Sequence, residues 1–482
     1  MHRIAKVVAL GSLSCLCTLS PLQAQEQALP ALGDSSSAIV TAQQEHYLGR
    51  AWLQALRRQA PTIDDPEMKE YTESLIYRLV ETSEVRDRRL EVVILDSPEL
   101  NAFAVPGGIV GINSGLFLYA DSEQEFASVL AHELAHLSQR HFARNVEEAE
   151  RNRIPSLAAT LASVLLMAAG GGDAGIATLA TSQAAFQSQQ MKFSRQNERE
   201  ADNVGIQNLA RANMDPRAMP SMFESMNRAS RFSGQKPPEF LSTHPVTENR
   251  ISESRARAEQ YPLKHYQDNP SYHLMRVKAQ IHHNRDINKL IERYESELKN
   301  GSSTPPFAVR YGLALALTKA QRLDEAEQAL APLLKEAPDN RHYLIAQALI
   351  DSERGQYAAA DKRLKGALEL TPENLPLTMN YANILVAERK YKPAEQLLSQ
   401  LVSSRPNDPD VWYILAEVRG LAKDITGVHL ARAEFFRLTG DLDQAIQHLE
   451  YAQTQVQGNF ALTTKVEQQI KDLRAYQKDV GF

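Results

Sequence analysis

The sequence predicts a mainly α-helical protein in two parts, an N-terminal helical unit built around a small β-sheet and a C-terminal α-solenoid. Three observations carry this. Residues 38–60 and 66–84 have helical periodicity, as in Met68, Tyr71, Leu75, Tyr77 and Leu79. The period then changes, because the runs Leu90–Leu95 and Gly108–Ile112 read as strands. From about residue 270 the chain repeats itself. At 482 residues with 43% hydrophobic content, the chain is too long for one core and has the composition of a globular protein of two or more domains.

Taken in order, residues 1–24 read as a secretory signal peptide. Arg3 and Lys6 form the basic start, Val7–Thr18 the apolar or small-residue centre, and Pro21-Leu22-Gln23-Ala24 a cleavage site. Both cysteines, Cys15 and Cys17, lie in this segment, so the mature chain is expected to carry no disulfide. Its removal moves the formal charge from −6 to −8, which argues against nucleic acid as a partner. The strands at 90–95 and 108–112 are separated by Asn101–Gly108, where Pro106-Gly107-Gly108 signals a turn, and are expected to be sequential partners in one small sheet. Such a sheet either supports the next helix or offers an exposed strand that aligns a peptide.

That next helix holds the densest chemistry in the chain. Val129–Leu137 contains His132-Glu133-Leu134-Ala135-His136. At 100° per residue the two histidines lie about 40° apart and Glu133 about 60° from His136, so two imidazoles and a carboxylate share one face. Phe126, Val129, Leu130 and Leu137 supply apolar surface, and Ser122 with Glu125 forms a capping box. Two histidines at i and i+4 with a glutamate between them are the zinc-ligand and general-base set of metal-dependent hydrolases.

Residues 154–186 are rich in Ala, Leu, Ser and Gly, but Leu157–Ala169 is only thirteen residues long against the ~20 of a membrane span. A helical hairpin packed on the domain is expected, with peripheral membrane contact as the other reading. Phe193–Ile206 then brings Glu198 and Asp202 onto one helical face at i and i+4. Catalytic zinc takes three protein ligands plus water, and His-His-Glu is one such set. Glu198 is therefore expected as the third ligand and Asp202 as the hydrogen-bond anchor of a ligand imidazole, that of His132. Glu200 points about 200° from Glu198 and reads as solvated; His141, about 140° from His136, reads as scaffold.

Residues 307–340, 341–374 and 375–408 stack without a gap at a period of 34. Ala326, Ala360 and Ala394 coincide, as do Leu323, Tyr357 and Tyr391, then Leu330, Leu364 and Leu398, then Pro338, Pro372 and Pro406. Small residues at the helix crossing and proline at the exit make this the tetratricopeptide pattern. A fourth unit opens with Trp412, Leu415 and Ala416, after which the signature shifts by half a period to Gly440, Leu442, Ala445 and Leu449. Residues 270–306 read as a degenerate leading pair and 460–478 as a polar capping helix. Such arrays present surfaces that bind peptides or proteins. The expected division is a signal over 1–24, a peptidase domain over 25–265 and repeats over 270–482.

His-Glu-x-x-His, Asn197-Glu198-Arg199-Glu200-Ala201-Asp202, the upstream Asn101-Ala102-Phe103-Ala104 and the downstream Thr243-His244-Pro245 together resemble the HtpX and CAAX-protease family of zinc peptidases, with a gluzincin-like fold. With the export signal and the repeats, the whole mature chain is most similar to its periplasmic branch in Gram-negative bacteria, which enhances outer-membrane β-barrel assembly. The resemblance implies one Zn²⁺ per chain on His132, His136 and Glu198, with Glu133 as general base. It places His244 either on the metal in a closed, self-inhibited state or at the transition state, and leaves Arg250 a structural part. It further implies unfolded or stalled outer-membrane β-barrel proteins as substrates, and the barrel-assembly and lipopolysaccharide-transport machineries as partners. The departure is topological, because relatives such as HtpX are integral membrane proteins and this sequence has no convincing span. The competing function is a repeat-based chaperone or assembly adaptor with a silent or structural zinc site; an intact His-His-Glu set with a neighbouring base argues for catalysis.

Overall fold

The computed structural model describes residues 40–151, 195–232, 239–456 and 458–479. The signal, the 154–186 stretch and the prolines at 237 and 238 lie outside them. Two helices open the described chain, α1 (Ala42–Gln59) and α2 (Pro66–Thr82), each started by a side-chain cap: Thr41 for α1, and Asp65 followed by Pro66 for α2. Three strands follow, β1 (Glu91–Leu95), β2 (Ala102–Val105) and β3 (Ile109–Asn113). They form one sheet in the order β1-β3-β2.

Here the structure departs from the sequence expectation. Asn101–Gly108 is not simply a connection, since Ala102–Val105 pairs antiparallel with β3 while β1 pairs with β3 in parallel. The Pro106-Gly107-Gly108 turn, with φ of +83° and +80° at its glycines, closes the β2–β3 hairpin. Four residues of Ala, Phe, Ala and Val were too short a run to separate from the turn beside them.

After a short α3 (Leu116–Tyr119) come α4 (Glu123–Ser138) and α5 (His141–Arg151), then α6 (Arg195–Arg211), α7 (Ala218–Phe232), α8 (Glu239–Thr243) and α9 (Glu248–Ala258). Helices α4 and α6 pack along each other. Gly205 makes the crossing close, because a Cβ there would meet Met219 Cε at 2.8 Å and the Ala131 backbone at 3.3 Å. No helix among the described residues is long and apolar enough to cross a membrane.

The repeat array begins with α10 (Pro270–His283) and α11 (Ile287–Asn300) and continues as α12 (Pro306–Lys319), α13 (Leu323–Glu336), α14 (Arg341–Glu353), α15 (Tyr357–Leu370), α16 (Leu375–Ala387), α17 (Tyr391–Ser404), α18 (Pro409–Leu421), α19 (Ile425–Thr439), α20 (Leu442–Gln455) and α21 (Phe460–Asp479). The period is visible in the caps. Asn340, Asn374 and Asp408, each two residues after a periodic proline, accept from backbone N–H groups at the starts of α14, α16 and α18. Ala326, Ala360, Ala394 and Leu330, Leu364, Leu398 are all fully buried, as a helix-crossing role requires. The helices keep their spacing through α19, although the sequence signature restarts there.

One cluster of buried side chains runs without interruption from Ile63 in the N-terminal unit through Tyr272 and Tyr294 to Ile350 in the repeats. Helix α2 sits between the two parts. Lys278 and His342 of the repeats meet Glu67 on it, Arg341 and Asn374 meet Glu70, Arg405 meets Glu73, and Asp408 with Asp410 holds Lys69 at 2.6 and 2.8 Å. At the far end, Gln54 and Arg57 of α1 donate to the carbonyls of Arg437 and Leu438.

Candidate metal centre

Helix α4 is positioned from its first residue. Ser122 Oγ accepts from the Glu125 N–H, but the reciprocal half of the expected capping box is displaced by one residue, because Glu125 Oε2 accepts from the Asp121 N–H at 2.8 Å. Beneath that end, Phe126 packs on Phe117 at a centroid distance of 4.4 Å, with Tyr71 and Tyr272 against both. The Tyr71 hydroxyl donates to Glu123 and the Tyr272 hydroxyl to the Ala120 carbonyl. The helix is thereby fixed before it reaches His132, Glu133 and His136, all three of which are buried.

The structure brings the sequence-predicted residues together. Ligand atoms of His132, His136, Glu198 and His244 lie within 4.8 Å of one another. His132 Nε2 is 3.1 Å from His136 Nε2, 3.3 Å from His244 Nδ1 and 3.5 Å from Glu198 Oε2. On the other side of its ring, His132 Nδ1 lies 3.0 Å from Asp202 Oδ1, so one nitrogen faces the cluster and the other a buried carboxylate. Glu198 Oε1 is 3.4 Å from His136 Nε2 and 3.0 Å from His244 Nδ1. His244 follows α8 directly and stacks on Phe240 at 4.8 Å, with its Nε2 3.6 Å from Glu133 Oε1.

Three side chains have more to do than their sequence reading assigned. Glu200 is not simply solvated, since its carboxylate accepts from Arg144 at 2.8 Å and lies 3.2 Å from His141 Nε2. His141 is fully buried and sets its Nδ1 2.8 Å from His136 Nδ1, so Glu200 reaches His136 through a second imidazole. Arg250 donates twice to Asp202, at 2.8 and 2.7 Å, once to the Pro245 carbonyl, and lies 2.8 Å from Glu198 Oε2. This one guanidinium joins the loop of His244 to Glu198 and Asp202 of α6. Its sequence signal was a basic residue on the first turn of a Thr247-capped helix, with two acids elsewhere to satisfy; only folding says that they meet.

The electrostatics suit a cation. Burial would lower the pKa of His132, but the facing carboxylates of Asp202 and Glu198 outweigh it and raise it to about 9. Burial and the neighbouring His132 hold His136 well below its ordinary value. Burial pushes the Glu133 carboxyl up. For Glu198 burial acts upward, yet His244 and His132 hold it well below the carboxylate range. Three imidazoles converging on one carboxylate, with Glu133 Oε1 buried and lacking a hydrogen-bond partner among the described residues, make a donor set that fits a borderline divalent ion.

Residues 66–258 match the model of Peptidase family M48, and residues 352–418 that of the Tetratricopeptide repeat. The chain is 34% identical to the Beta-barrel assembly-enhancing protease of Escherichia coli K12 over 93% of this chain and 92% of that protein. The chain belongs to peptidase family M48. The corresponding protein of Yersinia pestis is 33% identical over 98% of this chain and 96% of its own length. A more distant M48 likeness, 32% identity to the Mitochondrial metalloendopeptidase OMA1 of Schizosaccharomyces pombe, covers 38% of this chain and 50% of that one. Membership makes this M48 chain a metalloendopeptidase with a tetratricopeptide array, and family M48 implies a metal.

Proposed function

We propose that this chain is an exported zinc endopeptidase of the periplasm that degrades misfolded or stalled outer-membrane β-barrel proteins and assists their assembly through its repeats. The convergence of His132, His136 and Glu198, with Glu133 beside them, carries the reading. These three residues would hold one zinc ion per chain, which when bound supplies a Lewis acid and lowers the pKa of its water toward about 7. Glu133 takes the proton of the attacking water and returns it to the leaving amine, a task suited to a carboxylate whose proton affinity is raised by burial. Asp202 orients His132, and Glu200 orients His136 through His141. β2, at one edge of the sheet and next to α4, aligns the substrate backbone as an added strand.

The division of labour follows the expected boundaries, with the peptidase over 25–265 and partner recognition over 270–482. The names of the E. coli and Yersinia relatives support an assembly role. The barrel-assembly and lipopolysaccharide-transport machineries are its proposed partners, on the sequence resemblance alone. His244 acts as a self-inhibitory plug, a reading supported by its imidazole lying 3.0 Å from Glu198 and 3.6 Å from Glu133, within the cluster that would hold the metal. Turnover of an unfolded β-barrel protein tests both assignments at matched zinc content. Glu133→Gln is expected to keep zinc and lose roughly 10²- to 10⁴-fold in rate. His244→Ala is expected to raise basal proteolysis; a fall instead would make His244 a transition-state group, and unchanged rates a loop residue only.

A further inference from the structure

A second group of metal-ligating side chains lies away from the peptidase centre, where the end of β1 meets the end of α10. Asp96 directly follows β1, and His282 and His283 close α10. One ligand atom from each of the three lies within 4.8 Å of the others. His282 Nε2 is 2.8 Å from Asp96 Oδ1, and both side chains reach the surface, at 43% and 36% exposure. The His282 and His283 rings stand nearly perpendicular with centroids 4.8 Å apart.

What separates this group from an ordinary surface ion pair is the residue behind it. Ser114 is fully buried, and its hydroxyl donates to the Ser97 carbonyl at 3.2 Å. Its oxygen is then the acceptor toward His283 Nε2, 2.7 Å away, which places the ring proton on Nε2 and the lone pair on Nδ1. A ligand histidine characteristically has such a partner on its other nitrogen, fixing both tautomer and ring orientation. Both histidines end a fourteen-residue helix, where the partial negative charge of the last carbonyls favours a cation. A lone exposed His–Asp pair, which contributes little to stability, would require neither the second imidazole nor the buried hydroxyl.

We propose that Asp96, His282 and His283 form a second metal site, for a borderline divalent transition ion such as zinc, that ties the end of β1 to the first helix of the repeats. Two imidazoles and one carboxylate select zinc, nickel or copper over magnesium and calcium, which prefer oxygen ligands throughout. Three protein ligands leave the fourth position to water, and the exposed side chains close on the ion by rotation about their own bonds. An ion held there stabilises the junction by mass action, so its effect appears as stability that depends on metal concentration.

The test uses the full-length chain equilibrated at low micromolar free Zn²⁺, with bound zinc measured by mass spectrometry of the metal. The deciding comparison is between His136→Ala, which removes the peptidase ligand set, and the double variant His136→Ala/His282→Ala. Loss of one zinc equivalent between them, repeated with Asp96→Asn in place of His282→Ala, is the expected result, together with a zinc-dependent rise in Tm that only the single variant retains. No loss of zinc between the two overturns the proposal. Circular dichroism of each variant establishes folding, which substitutions at these surface positions are expected to spare. Failure of the peptidase assignment would appear separately, as unchanged zinc between wild type and His136→Ala.

Discussion

Among single side chains, the neighbouring carboxylates of α6 make the sharpest contrast. Glu198 and Asp202 are buried toward α4, whereas Glu200, two residues from Glu198, turns to His141 and Arg144. Metal analysis of purified variants should follow these partners. Glu198→Gln is expected to lose most of its zinc. Asp202→Asn, which removes charge from the contact with His132 and from the Arg250 fork, should cost on the order of 10- to 100-fold in affinity or activity. Glu200→Gln should retain zinc, with a smaller loss of activity because His141 still occupies its place. Zinc loss in Glu200→Gln alone would exchange the two assignments. The i, i+4 spacing made Glu198 and Asp202 legible as a pair before folding, just as it did His132 and His136. The roles of His141 and Arg250 were not legible, because each depends on a crossing between elements that helical angles on a single helix cannot report.

For the secondary-structure elements, the question is how two ligand-bearing helices are held at one distance. Gly205 sets that distance where α6 meets Ala131 of α4, so Gly205→Val should force the helices apart and deplete zinc even though every ligand remains. Gly205→Ala should be milder, since the Met219 methyl can yield. Helix α2 raises a different problem, that of buried charge. Burial pushes the Glu67 carboxyl up, but Lys278 and then His342 outweigh it and hold its pKa near about 2, against an ordinary 4.5. A depressed carboxylate stabilises the fold above pH 4.5 and loses that contribution as the pH falls toward 2. Acid unfolding of wild type is therefore expected to begin within this window. Glu67→Gln should be less stable at neutral pH, by on the order of 3 kcal/mol, because it leaves Lys278 and His342 short of a partner. Its stability should also vary less between pH 4.5 and 2, and an unchanged acid profile would show that Glu67 is not the group that titrates. The sequence marked α2 as amphipathic, yet gave no sign that its polar face meets the repeats, since pairs such as Lys69–Asp408 lie hundreds of residues apart.

Across the whole molecule, the 34-residue period was readable because each repeat unit contacts its neighbours in the same way, and that regularity hides where the array begins energetically. Helix α10 belongs to the leading pair by pattern, but by packing it is part of the peptidase core. Tyr272 is fully buried, contacts Tyr71, Phe117 and Phe126, and donates to the Ala120 carbonyl just before the metal-bearing helix. Met275 and Val277 are buried in the same cluster. A chain cut near residue 265 would therefore expose the floor of α4, and Tyr272→Ala alone should cost about 3–5 kcal/mol. The 25–265 fragment is expected to unfold at lower denaturant, with weaker zinc retention, than a fragment extended through α14 to residue 353, which keeps the core cluster up to Ile350 and the Glu67 partner His342. Equilibrium denaturation of the two fragments with zinc content measured in parallel decides it. Equal stability would mean that the repeats are attached to a self-sufficient peptidase, whereas a large gap would mean that a partner pulling on the array also pulls on the floor beneath Glu133.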